Sequence, residues 1–150
     1  MDGTFVPNIS YGFPVVEAIA SIAEKPLDVH LMIVHPEKYI DRFARIGTSM
    51  LSFHLNATDK PAQTLLHIKE TGMKAGLVIN PDMPVESLYP YLHLCDYIIL
   101  MSVYAGFGGQ RFIEEASSRS FFPEVEIISG SQTSFKSYFS TASATTFTIS

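Results

Sequence analysis

The fold is decided by the stretch Asp96-Tyr-Ile-Ile-Leu-Met-Ser-Val-Tyr-Ala-Gly-Phe-Gly-Gly-Gln-Arg-Phe112. The apolar run from Tyr97 to Met101 predicts a buried strand, and a glycine-rich turn at residues 106–109 follows it. Glycine lets backbone N–H groups approach an anion without a Cβ in the way, and a helix beginning after the turn would add a favourable dipole. Many α/β proteins bind phosphate in this way, although glycine turns also end many strands that bind nothing.

Outward from this stretch, short β-rich runs alternate with helical patterns, which is typical of a parallel sheet built from βα units. Each predicted helix has a proline near its first turn, where the missing N–H costs nothing, and Gly47 and Gly72 are the predicted ends of the second and third helices. The expected strands are residues 27–34, 50–55, 74–80 and 97–102, and the expected helices are residues 14–23, 36–46, 61–71 and 84–92. The fold class is therefore α/β, a partial TIM (β/α)8 barrel with about four βα units of the eight and a divergent C-terminal tail.

The last part of the chain differs in composition. Residues 117–150 contain ten Ser and five Thr, with scattered Phe and Tyr, and residues 125–128 are the one further candidate strand. Such a segment is either a flexible tail or coding sequence read out of frame, and the phenylalanines favour the second. The expected organisation is a partial barrel in residues 1–116 and an unrelated tail in residues 117–150.

Composition excludes several classes of protein. A net charge of -5 without a Lys/Arg cluster argues against a nucleic-acid surface, and the single cysteine, Cys95, excludes a disulfide framework or a Cys-based zinc site. No apolar run approaches the roughly 18 residues that span a bilayer, and no leader pattern is present at the N-terminus. A cytoplasmic protein with no nucleic-acid or membrane partner is expected.

The second candidate site lies on the predicted strand around His30. Alternation places Asp28, His30 and Met32 on one face and Val29, Leu31 and Ile33 on the other. His30 beside Met32 is either a metal ligand with a soft apolar neighbour or a buried core histidine. Asp28 is interpreted as a structural residue.

Other polar residues fall near the carboxyl ends of the predicted strands, where TIM barrels build active sites. Ser52 and His54 share a face of the second strand, and Asn80 ends the third. Proton transfer at carbon needs a positioned acid and base, and no strand here ends in an inward carboxylate pair. The remaining histidines are predicted to be surface residues: His35, His67 and His93.

Five segments in order resemble the ribulose-phosphate 3-epimerase family, nearly without gaps from Met1 to about Glu115. They are Met1-Asp-Gly-Thr-Phe-Val-Pro-Asn8, Leu27-Asp-Val-His-Leu-Met32, Ser52-Phe-His-Leu55, Gly72-Met-Lys-Ala-Gly-Leu-Val-Ile-Asn-Pro81 and Met101-Ser-Val-Tyr-Ala-Gly-Phe-Gly-Gly-Gln-Arg-Phe112. The resemblance implies a metal-assisted isomerase that epimerises D-ribulose 5-phosphate at C3 to D-xylulose 5-phosphate in the pentose phosphate pathway. It also implies a divalent metal ion (zinc, iron, manganese or cobalt) and a homo-oligomer for the intact family.

The resemblance also assigns residues. His30 matches a metal ligand that contacts substrate, and Met1, Met32 and Met101 match methionines that line the reaction site. The substrate's phosphate would be bound by the loop of Gly106, Phe107, Gly108 and Gly109.

Both catalytic aspartates of the family, which are also metal ligands, fall outside the matching segment, so no catalytic residue is assigned. Asp2 matches a different aspartate, that of the family's Met-Asp-Gly motif. The chain alone is therefore expected to be inactive. The alternatives are a non-catalytic sugar-phosphate-binding or interaction remnant, and a related epimerase acting on a hexulose 6-phosphate.

Overall fold

Four parallel strands, paired in chain order, form the single sheet of this computed structural model, which describes residues 1–114. The strands are β1 (Asp28–Leu31), β2 (Met50–His54), β3 (Lys74–Ile79) and β4 (Tyr97–Leu100). Helix α1 (Phe13–Ile22) precedes β1, α2 (Ile40–Ile46) follows it, and α3 (Pro61–Glu70) joins β2 to β3. The predicted α/β architecture of a partial TIM barrel is confirmed.

The core lies between one face of the sheet and the helices. Alternate residues of the four strands contribute to it, and Phe53, Leu65 and Leu77 are completely buried. Burying each such side chain stabilises the fold by about 1.5–3 kcal/mol. The opposite face of the sheet consists of the residues between these positions, and it carries the polar side chains of the candidate site.

Proline and glycine mark the helix boundaries as predicted. Pro14 and Pro61 lie in the first turns of α1 and α3. Gly47 ends α2 in the left-handed region with φ 92°, and Gly72 follows α3 with φ 88°. Glycine adopts this conformation without the penalty that a Cβ would impose.

Two predicted helices differ from the structure. Residues 84–92 do not form an α-helix; the segment Val85–Leu94 is 3₁₀-helical, and Pro90 lies inside it. An α-helix there would lose the N–H of Pro90 and bring its ring against a preceding carbonyl group. The predicted helix 36–46 is a 3₁₀ turn at Pro36–Lys38 followed by α2, because Tyr39, with φ -118°, departs from helical geometry between them.

The first predicted strand is shorter than expected. Residues 27–34 were predicted, but pairing with β2 covers only Asp28–Leu31. The pairing of β1 with β2 ends there because β2 is followed by a 3₁₀ segment at Leu55–Ala57. The N–H of Val34, which was predicted to belong to the strand, donates to the Asp2 carboxylate instead. In the part of the chain that the structure describes, no helix is long and apolar enough to cross a membrane. The predicted tail, residues 117–150, lies outside the described residues.

Candidate functional site

Two histidines meet on the face of the sheet that turns away from the helices. His30 of β1 and His54 of β2 have their Nε2 atoms 3.0 Å apart, and their ring planes differ by 23°. Both side chains are buried, and the ring of Phe5 packs on His54 with 5.0 Å between centroids. We call these two residues the histidine pair.

Both members of the histidine pair are neutral near pH 7. Burial, first, and the positive charge of the amino terminus, second, lower the pKa of His30 to about 4. Burial and then His30 hold the pKa of His54 well below its usual value. One neutral ring therefore donates to the other. Since the buried Nδ1 of His54 has no hydrogen-bond partner among the described residues, the tautomer in which His54 Nε2–H donates to His30 is favoured.

This neutral pair predicts an acid-sensitive fold. An unfolded histidine takes up a proton near pH 6.5, whereas folded His30 does so only near pH 4, so the unfolded state binds more protons between these values. The free energy of unfolding is therefore expected to fall as the pH drops through this window, by roughly 3 kcal/mol from His30 alone.

Denaturant unfolding across that pH range measures the effect. The double variant His30→Leu/His54→Leu should lose this part of the pH dependence, whereas the exposed-site control His93→Gln should keep it. An unchanged pH dependence in the double variant would contradict the assignment of the two neutral rings.

The N-terminal hairpin, residues 1–10, lies along the carboxyl edge of the sheet. Asp2 and Ile9 form an antiparallel bridge, and Gly3 N–H donates to Asn8 O at 2.9 Å. The Asp2 carboxylate fastens one side of the hairpin to the chain after β1, through the N–H of Val34 at 2.8 Å. The side-chain amide of Asn8 fastens the other side to the loop after β4, through Gly106 O at 3.0 Å.

The Asp2 carboxylate is expected to hold the N-terminal hairpin against the chain after β1. Besides the N–H of Val34 it accepts those of Thr4 and Phe5, each at 2.8 Å. Burial raises its pKa, but these three N–H groups lower it below the usual value overall. Asp2→Asn turns one acceptor oxygen into a donor that faces an N–H, and should cost about 1–3 kcal/mol.

Denaturant unfolding and amide exchange at Val34 test the role of Asp2. The exposed carboxylate variant Asp59→Asn is the matched control and should change neither quantity. Parental exchange at Val34 in Asp2→Asn would show that the carboxylate does not fasten the hairpin.

The glycine loop, residues 106–109, follows β4. Gly106 is buried with φ 118°, and Gly109 has φ 73°, whereas Phe107, Gly108 and Gly109 are exposed. The side-chain amide of Gln110 donates to Tyr104 O and Phe107 O, at 2.7 and 2.8 Å, and so closes the loop on itself. A helix was predicted to follow this loop, but residues 110–113 are not helical, so no helix begins directly after the turn.

A further polar contact lies on the same face of the sheet as the histidine pair, at the amino ends of β1 and β4. Tyr97 of β4 donates its hydroxyl to an Asp28 oxygen of β1 at 3.2 Å. Its ring lies over Gly76 of β3, where a Cβ would overlap it. Asp28 therefore has the structural partner that its predicted role requires.

A cavity of about 430 Å³ opens beside β1. Residues from both faces of this strand, including Val29 and His30, line it together with Met1 and Asp2. Because both faces contribute, the cavity lies at the edge of β1 that no described strand covers. Met1 and His30, which the resemblance assigns to one reaction site, do lie at one cavity.

The other methionines that the resemblance assigns to the reaction site are Met32, which is buried, and Met101, which is half-buried. No hydrogen bond between described residues links His30 directly to the glycine loop. The hairpin instead contacts His54, the partner of His30, through Phe5, and it contacts the glycine loop through Asn8. His35, His67 and His93 lie at the surface as predicted, and His67 Nε2 lies 2.8 Å from an oxygen of Asp41.

Sequence reasoning missed several of the residues that organise this site. It placed His54 on the same face of its strand as Ser52 but not against His30, and it gave no role to Asn8, Gln110 or Tyr97. The alternation of β1 and β2 was the available signal for the histidine pair. The contact of Asn8 joins residues 98 positions apart, which no local pattern indicates.

The described residues do not complete a tight metal site. No group of three or more His, Cys, Asp or Glu side chains converges in residues 1–114. The pair offers two imidazoles, while the Asp2 oxygens already accept backbone N–H groups. Tight sites need three or four convergent ligands, so this donor set does not fit the ion that the resemblance implies.

Comparison with known proteins gives one consistent result. The model of the ribulose-phosphate 3-epimerase family matches residues 1–122. Proteins named ribulose-phosphate 3-epimerase are 51% identical over 117 residues in Synechocystis sp. and 48% identical over 113 residues in Bacillus subtilis. These matches cover 77% and 75% of this chain, but 51% and 52% of the relatives. A chloroplastic ribulose-5-phosphate-3-epimerase of Arabidopsis thaliana is 45% identical over 76% of this chain and 41% of its own length. The chain thus spans about half the length of the curated relatives it matches.

Proposed function

Since the chain belongs to the ribulose-phosphate 3-epimerase family, we propose that it supplies the sugar-phosphate-binding part of an isomerase. The whole protein would interconvert ribulose 5-phosphate and xylulose 5-phosphate by epimerisation at C3. The observation that carries the proposal is the N-terminal hairpin, which joins the histidine pair and the glycine loop along the carboxyl edge of one parallel sheet.

In this proposal each part of the site has one task. The glycine loop binds the phosphate through backbone N–H groups, and its exposed residues leave room for the anion. His30 contacts the sugar as a neutral imidazole, while Met1, Met32 and Met101 surround the carbon skeleton and exclude water. The chain's own residues therefore bind and orient the substrate.

Proton transfer at C3 requires groups that the described residues do not offer. Asp28 accepts the Tyr97 hydroxyl, and the oxygens of Asp2 accept backbone N–H groups. We therefore assign both proton transfers, and a divalent metal ion with His30 among its ligands, to a protein of the relatives' full length. The proposed location of that protein is the cytoplasm, although one relative is named as chloroplastic.

Calorimetric titration with ribulose 5-phosphate tests the binding role. A Cβ at Gly108 meets nothing within 4 Å and its φ is not in the left-handed region, so substitutions there leave the fold intact. Gly108→Asp puts a carboxylate where the phosphate would bind and should abolish the affinity, whereas Gly108→Ala should keep most of it. Equal affinity of the two variants, or no binding by the parent chain, would refute the role of the loop.

The alternative function is a non-catalytic sugar-phosphate-binding or interaction remnant. Two observations favour it. The carboxylates of Asp2 and Asp28 already accept hydrogen bonds, and no described strand pairs with the outer edges of β1 and β4. Open edges invite self-association. A remnant would bind the sugar phosphate without a longer partner and without turnover, and competition between pentulose 5-phosphates and hexulose 6-phosphates would identify the substrate class.

A further inference from the structure

We infer that Asn8 is a positioning residue for the phosphate-binding loop, an inference that rests on the proposed function of that loop. Its Nδ2 donates to Gly106 O at 3.0 Å, and its Oδ1 accepts the N–H of Ile9 at 2.9 Å. One side chain thus bonds the hairpin backbone and the glycine loop at the same time.

The packing around Gly106 supports this contact. A Cβ at Gly106 would lie 3.1 Å from the Cβ of Val6 and 3.8 Å from Cδ of Pro7, so the hairpin packs directly on the loop backbone. Gly106 also has φ 118°, which side chains rarely tolerate. The hydrogen bonds of Gln110 stay within the loop, whereas that of Asn8 joins the loop to the hairpin.

The Asn8 contact determines which way one donor points. In a planar trans peptide the C=O and the following N–H point in opposite directions. When Asn8 holds Gly106 O toward the hairpin, the N–H of Phe107 points away from it, to the exposed side of the loop. Among the described residues nothing accepts that N–H. It is therefore oriented toward a phosphate oxygen before the ligand arrives, which lowers the cost of binding.

Two variants of the full chain separate the parts of this contact. Asn8→Asp keeps the oxygen that accepts from Ile9 but replaces the Nδ2 donor by an oxygen that repels Gly106 O. Asn8→Ser shortens the side chain and changes no charge, so an effect shared by both cannot come from repulsion of the anion. Gln63→Glu, on the exposed surface of α3, is the control for the added charge.

Backbone nitrogen relaxation and titration with inorganic phosphate, both followed by NMR of isotope-labelled chain, are the readouts. Both Asn8 variants should weaken phosphate binding roughly three- to tenfold, the size expected for one lost hydrogen bond, and should lower the order parameter of the Phe107 N–H. The order parameters of Leu77 and Val78 in β3 should stay unchanged, because a merely structural role would lower them in both regions. If Asn8→Asp does not fold, Asn8→Ser carries the test.

The outcomes distinguish this inference from the proposed function. Parental phosphate affinity and a parental order parameter at Phe107 in both variants would overturn the positioning role and leave the proposed function standing. If the parent chain binds no phosphate while the order parameter at Phe107 falls only in the Asn8 variants, the proposed function fails and the positioning of the loop is supported.

Discussion

The chain of 150 residues is expected to form xylulose 5-phosphate at least about 10⁴-fold more slowly than a relative of full length. A positioned acid or base contributes about 10²–10⁴ to a proton transfer, and epimerisation at C3 needs one of each. In residues 1–114, Asp28 is held by Tyr97 and Asp2 by three backbone N–H groups. Neither carboxylate is placed to exchange a proton with a sugar.

Hydrogen exchange at C3 in deuterated water measures this directly, because proton removal is detected even without net epimerisation. The Synechocystis relative, which matches this chain at 51% identity, is the positive control under the same conditions. Exchange by the chain within about 100-fold of that control would mean that it carries its own acid and base.

Gly76→Val is expected to destabilise the chain by about 4 kcal/mol, enough to unfold a domain of ordinary stability. A Cβ at Gly76 would overlap the Tyr97 ring and approach the Ser52 Cβ to 2.8 Å. Both neighbours are anchored on adjacent strands, so the ring must move. Its hydroxyl then leaves Asp28, a buried carboxylate that loses a hydrogen bond.

The matched control is Gly12→Val. A Cβ at Gly12 meets only Pro14 Cδ, at 3.7 Å, and the residue has φ -89°, which valine adopts. Denaturant unfolding of the two variants should differ by at least about 2 kcal/mol. Similar stabilities would contradict the placement of the Tyr97 ring over β3.

The strands and most of the helices could be predicted because the patterns that mark them lie within short stretches of sequence. Apolar runs of strand length, prolines in first turns and glycines such as Gly47 after helices placed four parallel strands correctly. The segment Val85–Leu94 was mispredicted as α-helix, although Pro90 was visible in the sequence. The helix was predicted from Pro84 near its first turn, and the second proline was not taken into account.

The site followed only in part, because it depends on contacts between distant segments. Alternation placed His30 and His54 each on one face of its own strand, but their 3.0 Å contact depends on the register of β1 against β2. The hairpin had no periodic pattern, so its bonds from Asp2 to Val34 and from Asn8 to Gly106 were not foreseen. The resemblance supplied the roles of the glycine loop and the methionines, and these remain predictions.

The most direct test of the account is an NMR titration of the labelled chain with ribulose 5-phosphate. We expect the amide signals of the glycine loop and the ring signals of His30 to shift together and saturate at one ligand concentration, because the hairpin places both at one site. Shifts confined to other surfaces, or none up to millimolar ligand, would contradict the claim that this chain is the sugar-phosphate-binding part of an epimerase.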